Sequence, residues 1–166
     1  MKLVKNVMLI VCVLFLVAAC FDDDDEEEVG EGWPELQGVW QSDCFVFDDT
    51  PQIQTFDVDG DQGENGVEIY ADDDTSCSGT TVFETTINYR YEVGDEVQTD
   101  DGVTAREIDV EVLEDPDDVA EHDEEFDIFH INDGGNTLYF SADAAPNEAD
   151  RPNSLDFDRP YTKISD

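Results

Sequence analysis

Basic residues are nearly missing from this chain. Its 166 residues hold seven Lys plus Arg against 45 Asp plus Glu, a formal net charge of −38. Nucleic acid and anionic membrane surfaces both require basic patches on whatever binds them, so neither is expected as a direct partner. Histidine is scarce as well, with two in all. The sequence has no G-x-S-x-G, no phosphate-cradling glycine loop and no candidate cysteine nucleophile. Paired carboxylates say nothing here, because 45 acids make chance pairs everywhere. The expectation is therefore a protein that is not an enzyme, with no catalytic residue. Sustained helical periodicity is also missing, and no internal repeat is visible. The length allows one domain, not two.

The one long apolar run is short for a membrane span. Lys2 and Lys5 precede Val7 to Val17, eleven residues without a charge. A hydrocarbon core of ~30 Å needs about 20 residues of helix, so the run reads as a secretory signal with small residues before its cleavage point. Val17-Ala18-Ala19-Cys20 resembles a bacterial lipobox, in which the cysteine is acylated and becomes the first residue. That resemblance implies a signal peptide over residues 1–19, lipidation at Cys20, and a lipid anchor, since more than one acyl chain holds a protein stably. Asp22 to Glu28 are seven consecutive acids, a block that repels itself and buries nothing. Residues 20–35 are thus expected to be the anchor and a disordered acidic tether. The implied location is a bacterial cell envelope, with the membrane partner reached through the N-terminal lipid. Phe21 leaves the choice between inner and outer membrane open, with the outer preferred.

Of four cysteines, Cys12 would leave with the signal and Cys20 would carry lipid. Cys44 and Cys77 remain, an even pair for an oxidising compartment, and a disulfide between them is expected. A metal site is the rival, but only His122 and His130 are at hand as further ligands.

Residues 36–166 read as strands. Apolar residues alternate in short runs between Gly, Asp, Asn and Pro clusters. The clearest is Phe83, Thr85, Ile87, Tyr89, Tyr91 and Val93, with polar residues opposite. Ile108, Val110 and Val112 alternate with Glu107, Asp109 and Glu111. Further runs at 38–47, 52–58, 66–71, 125–131, 136–141 and 160–164 bring the count to eight. Residues 117–125 suit one acidic helical turn or a loop equally. The fold class expected is all-β, a small antiparallel barrel of about eight strands.

Gly38-Val39-Trp40 opens the first of these strands. A G-x-W there, ahead of eight strands, resembles the lipocalin and wider calycin group. Trp40-x-Ser42-x-Cys44, then Tyr70-x-Asp72 and Cys77, then Tyr91-Glu92-Val93-Gly94, is similar to a bacterial lipocalin-like lipoprotein domain. It is also similar to one half of the Wnt-inhibitor ectodomains, whose barrels hold lipid. The resemblance implies that Trp40 closes the barrel floor beneath an arginine, Arg159 before Arg151. It also implies a non-catalytic binding module for an apolar or amphipathic ligand, with Phe83, Ile87, Tyr89 and Tyr91 as the candidate lining. The alternative is an accessory lipoprotein that docks to another envelope protein and whose barrel is filled. Interior volume separates the two, and those bulky side chains lean toward filling.

Asp57-x-Asp59-x-Asp61 with Glu68 matches EF-hand loop positions 1, 3, 5 and 12. Gln62 stands where glycine is needed for the sharp turn, and strands flank the loop where an EF-hand has helices. The expectation is an exposed acidic turn and no cofactor. A weak Ca²⁺ site is the minor alternative. Neither His122, in an acidic loop, nor His130, on a strand, has a partner at ligand or triad spacing.

Overall fold

Alternation at a period of two makes a ribbon with one apolar face, and a sheet of such ribbons buries that face most fully by closing on itself. The computed structural model describes residues 32–114, 124–132 and 134–166. The expected signal peptide, Cys20, most of the expected tether, the segment 117–123 and His122 lie outside them.

The strands are β1 (Gly38–Ser42), β2 (Phe45–Phe47), β3 (Thr50–Asp59), β4 (Gln62–Ile69), β5 (Phe83–Gln98), β6 (Thr104–Glu114), β7 (Glu124–Ile131), β8 (Thr137–Phe140) and β9 (Tyr161–Ser165). All pair antiparallel. β1 bonds to β9 on one side and β3 on the other, which closes an eight-stranded barrel. β2 is a ninth strand outside that ring, hairpinned onto β3. The architecture is compatible with a lipocalin-like fold.

The expected first strand, 38–47, is two strands. It breaks at Asp43-Cys44, and β2 then turns back through Asp48 and Asp49, whose φ angles are 47° and 64°. Two positive-φ residues between paired strands suit a tight hairpin turn, and Asp tolerates that region better than most side chains. β5 runs past its expected end at Val93. It does so through an irregularity between Val93 and Glu96 that lets the long strand bend around the barrel.

Two cores result. Inside the barrel, Leu36, Trp40, Val58, Tyr89, Tyr91, Ile108, Phe129, Leu138 and Tyr161 pack together. Outside it, Ile128, Ala105 and Leu155 form a smaller cluster with Val97, Val103 and Tyr139. The outer cluster exists because the connection from β8 to β9 crosses the outer face of β6 and β7. Arg151 fastens it, donating through Nη1 to the carbonyls of Ile108 and Asp127, 3.0 Å each, and through Nη2 to Asp109 at 2.6 Å.

One end of the barrel is shut. Trp40 is fully buried and its indole N–H donates to the Leu36 carbonyl at 2.7 Å. The β3–β4 turn folds under it, where the Gly60 carbonyl accepts from the Tyr91 hydroxyl at 2.7 Å and from Gln37 Nε2 at 2.9 Å. Trp33 joins this floor: its N–H donates to Tyr91 Oη, and the Arg106 guanidinium stacks 4.4 Å from its ring centre. The barrel's contacts therefore begin upstream of the expected boundary at residue 36. Gly32 has φ 59°, and a Cβ there would overlap the Gly60 carbonyl, so the chain passes the floor only as glycine.

Candidate ligand-binding cavity

The other end is open. Strand ends place Phe47, Val67, Ile87, Val112, Glu125, Arg159 and the Ser141–Ala144 segment around a mouth, and below it lies a cavity of about 570 Å³. Its walls are the inward positions of the alternating runs: Phe56 and Val58 on β3, Tyr89 and Tyr91 on β5, Ile108 and Val110 on β6, Leu138 and Phe140 on β8. The space exists because inward residues include Asn65, Val67 and Gln54, which reach less far than the aromatic rings opposite. An eight-stranded barrel is about the size at which the choice of inward side chains decides between a filled core and room for one small ligand.

Four rings form one side of the cavity. Phe56 stands 5.1 Å from Tyr161, 5.3 Å from Phe140 and 6.4 Å from Tyr89, and Phe140 lies 5.8 Å from Tyr161, all centre to centre. None of these pairs is a flat sandwich, as ring quadrupoles prefer. Burial pushes the Tyr161 hydroxyl up to about 12, and that hydroxyl donates to Gln54 Oε1 at 2.7 Å. Burial raises the Tyr89 hydroxyl further still.

Polar groups interrupt the apolar wall, Asn65, Asp127 and Arg159 among them. Asn65 Oδ1 is buried and has no hydrogen-bond partner among the described residues. Asp127 faces the cavity from β7, where its Oδ1 accepts the N–H of Ile128 at 2.7 Å and of Ser141 at 3.4 Å. Desolvation raises its carboxyl above the ordinary value, against the pull of those hydrogen bonds and of Arg159. Arg159 is engaged on several sides: Nη2 donates to the carbonyls of Ser141 and Ala142, Nε lies 3.4 Å from Asp156, and the guanidinium covers the Phe45 ring.

The disulfide joins the mouth. Cys44, between β1 and β2, is bonded to Cys77 in the β4–β5 loop with Cα atoms 5.7 Å apart. Asp74 shapes that loop by accepting the N–H groups of Ser78 and Gly79, at 3.2 and 2.7 Å, and these bonds lower its carboxyl pKa. Cys77, whose φ is 47°, is held as well by its own N–H, which donates to the Asp74 carbonyl at 3.0 Å.

Of the candidate lining, Ile87, Tyr89 and Tyr91 meet in the cavity. Phe83 does not. It sits at the first residue of β5, paired with Ile69 at the outer limit of the β4–β5 ladder, and is 46% exposed. The arginine expected over Trp40 is a lysine: Lys163 Nζ lies 5.5 Å from the indole centre. Antiparallel pairing sets Lys163 directly opposite Trp40 and carries Arg159 to the mouth, while Arg151 is drawn to the outer face. The Asp57, Asp59, Asp61 and Glu68 set does not converge. Asp57 faces Glu64 across the hairpin, and Glu68 pairs with Ile53, six residues from the β3–β4 turn. Among the described residues no group of three or more His, Cys, Asp and Glu side chains is placed to hold a metal. His130 is on the outer face, its Nδ1 2.9 Å from the Thr104 carbonyl and its ring stacked on Tyr139.

Asn65, Asp127 and the Phe56–Phe140–Tyr161 rings were not among the expected lining. The β7 signal was present in the alternation of Glu125, Asp127, Phe129 and Ile131, which share one face. No family model matches the chain, and neither a curated protein nor a solved structure matches it.

Proposed function

We propose that this is an acidic, membrane-anchored envelope lipoprotein of lipocalin-like kind, whose barrel is a non-catalytic module that binds one apolar or amphipathic ligand. The observation that carries the reading is the hollow interior. About 570 Å³ of space, walled mainly by apolar side chains and open at one end, falls within the usual range for small-molecule sites. A filled barrel would have suited the docking alternative, so the open interior supports the binding module over it. The anchor rests on Cys20 and its preceding residues, and the envelope, the outer membrane before the inner, follows from it.

The test is native mass spectrometry of protein purified from its own membrane. A co-purifying lipophilic molecule at one per barrel is the expected result, and consistently empty protein that also refuses added alkanols would refute the reading. Cys20→Ala should move the protein out of the membrane fraction or leave uncleaved precursor. Unchanged membrane association would refute the anchor.

A further inference from the structure

The polar groups inside the cavity are not neutral in what they ask of a ligand. Asn65 Oδ1 is an acceptor in the wall with no hydrogen-bond partner among the described residues. Asp127 offers a second acceptor that carries charge, held in place by two backbone N–H groups on one oxygen. Two strands, β5 and β6, separate them around the barrel wall, and the aromatic rings lie between cavity floor and mouth, with π faces that attract cations. The charges lining the cavity and mouth are Glu125, Asp127 and Asp143 against Arg159. Arg159 is tied to Asp156 and two carbonyls, so it is poorly placed to receive an anionic head. The field of 36 acids against five cations over residues 36–166 adds to the same sign.

We propose, resting on the reading of the cavity as a ligand site, that it selects cationic amphiphiles that donate hydrogen bonds, a long-chain primary amine being the simplest. The alkyl chain lies along Phe56, Tyr89, Ile108 and Leu36, and the ammonium meets Asp127. An ammonium has three N–H donors and no acceptor, which matches a wall that is rich in acceptors. It also offsets the desolvation cost of a buried carboxylate, a cost that a neutral alcohol leaves standing and a fatty carboxylate makes worse. Quaternary ammonium would satisfy the rings but not the acceptors.

The experiment compares decylamine, decanol and decanoate by calorimetry on the folded protein. It is run at neutral pH, below micelle-forming concentrations, and in about 0.5 M NaCl, where the Debye length is ~4 Å and surface attraction is screened. Decylamine should bind roughly tenfold more tightly than decanol, with decanoate weakest. Decanol should displace decylamine one for one, as molecules sharing a cavity must. In Asp127→Asn the amine should lose its advantage while decanol binds as before, and Asn65→Leu should weaken amine and alcohol while leaving the fold intact. Decanoate binding as well as decylamine would overturn the proposal, as would an amine preference undiminished in Asp127→Asn, which would belong to the acidic surface. Decanol binding without any preference would sink the charge selectivity alone. Failure of all three probes to bind would sink the cavity reading and the selectivity with it.

Discussion

The two ends of the barrel are built on opposite plans. At the floor, Trp33, Leu36, Gln37, Trp40, Tyr91 and the Gly60 turn share apolar contacts and a closed set of hydrogen bonds. At the mouth, Val46, Phe47, Val82 and Phe83 are each about half exposed, and the main tie is covalent. The floor is held by burial of large side chains, which is cooperative and fails as a unit. The mouth is held by a disulfide and an Asp74-clamped loop, which fix the path of the backbone without filling the space between strands. A barrel that must stay open at one end cannot use packing there, and a crosslink substitutes for it.

Substitutions at each end should separate these plans. The largest effect is expected from Trp40→Ala, which removes a fully buried indole and should cost ~3–5 kcal/mol in urea unfolding. Phe47→Ala at the mouth should stay within ~0.5 kcal/mol. Similar costs at the two positions would mean that the floor is not the stabilising end.

Next comes the crosslink. Replacing Cys44 and Cys77 together by serine opens a loop with sequence separation 33 and should cost ~3–4 kcal/mol in the chain-entropy account. The loss should be uneven. Amide exchange should speed in residues 70–82 while Trp40 and its neighbours keep their protection relative to global unfolding. Equal loosening at both ends would break the contrast.

The smallest effect sits between the ends, at Asp127. Its folded-state pKa is raised, chiefly by desolvation, so the unfolded chain releases this proton first as pH climbs. The native state is then penalised above the raised pKa, and the penalty vanishes below the unfolded value of ~3.9. Asp127→Asn keeps an oxygen for the Ile128 and Ser141 N–H groups and removes the charge. It should therefore raise the melting temperature by a few degrees at neutral pH, corresponding to roughly 1 kcal/mol. The gain should shrink as pH falls toward 4. A variant less stable than the parent at pH 7 would show that Arg159 more than repays the burial.

Much of the barrel was legible because its signal is local. Alternation located eight of the nine strands, since a strand with one wet face must alternate. It missed the break inside residues 38–47, where the pattern continues through Cys44 but the pairing with β3 slips by one residue between Gln41 and Phe45. In β7 it left the inward face unassigned. Phe126, Ile128 and His130 look like the inward face because they include apolar residues, yet they lie outside, under the β8–β9 connection. That connection has no periodicity of its own and cannot be placed from sequence, so a strand buried on both sides shows no usable phase. Asp127 is hard to place for the same reason, since its charge suggests the outward face while it lines the cavity. Cys44 and Cys77 were legible from count alone. Lys163 in place of Arg159 over Trp40 was not, because register between the first and last strands is a property of the closed ring.

That closure also has a consequence in time. β1 and β9 are roughly 120 residues apart, and contacts of such separation form late and slowly. Neighbouring hairpins from β3 through β8 can assemble as the chain emerges, but the ring stays open until residues 161–165 arrive. Until then β1 and β8 each present an unpaired backbone edge with apolar residues beside it, the kind of surface on which two copies zip together. The acids distributed along the outward faces are already in place at that stage. Their repulsion acts between chains as well as within one, so the charge that costs the finished barrel some stability guards the unfinished one against its neighbours.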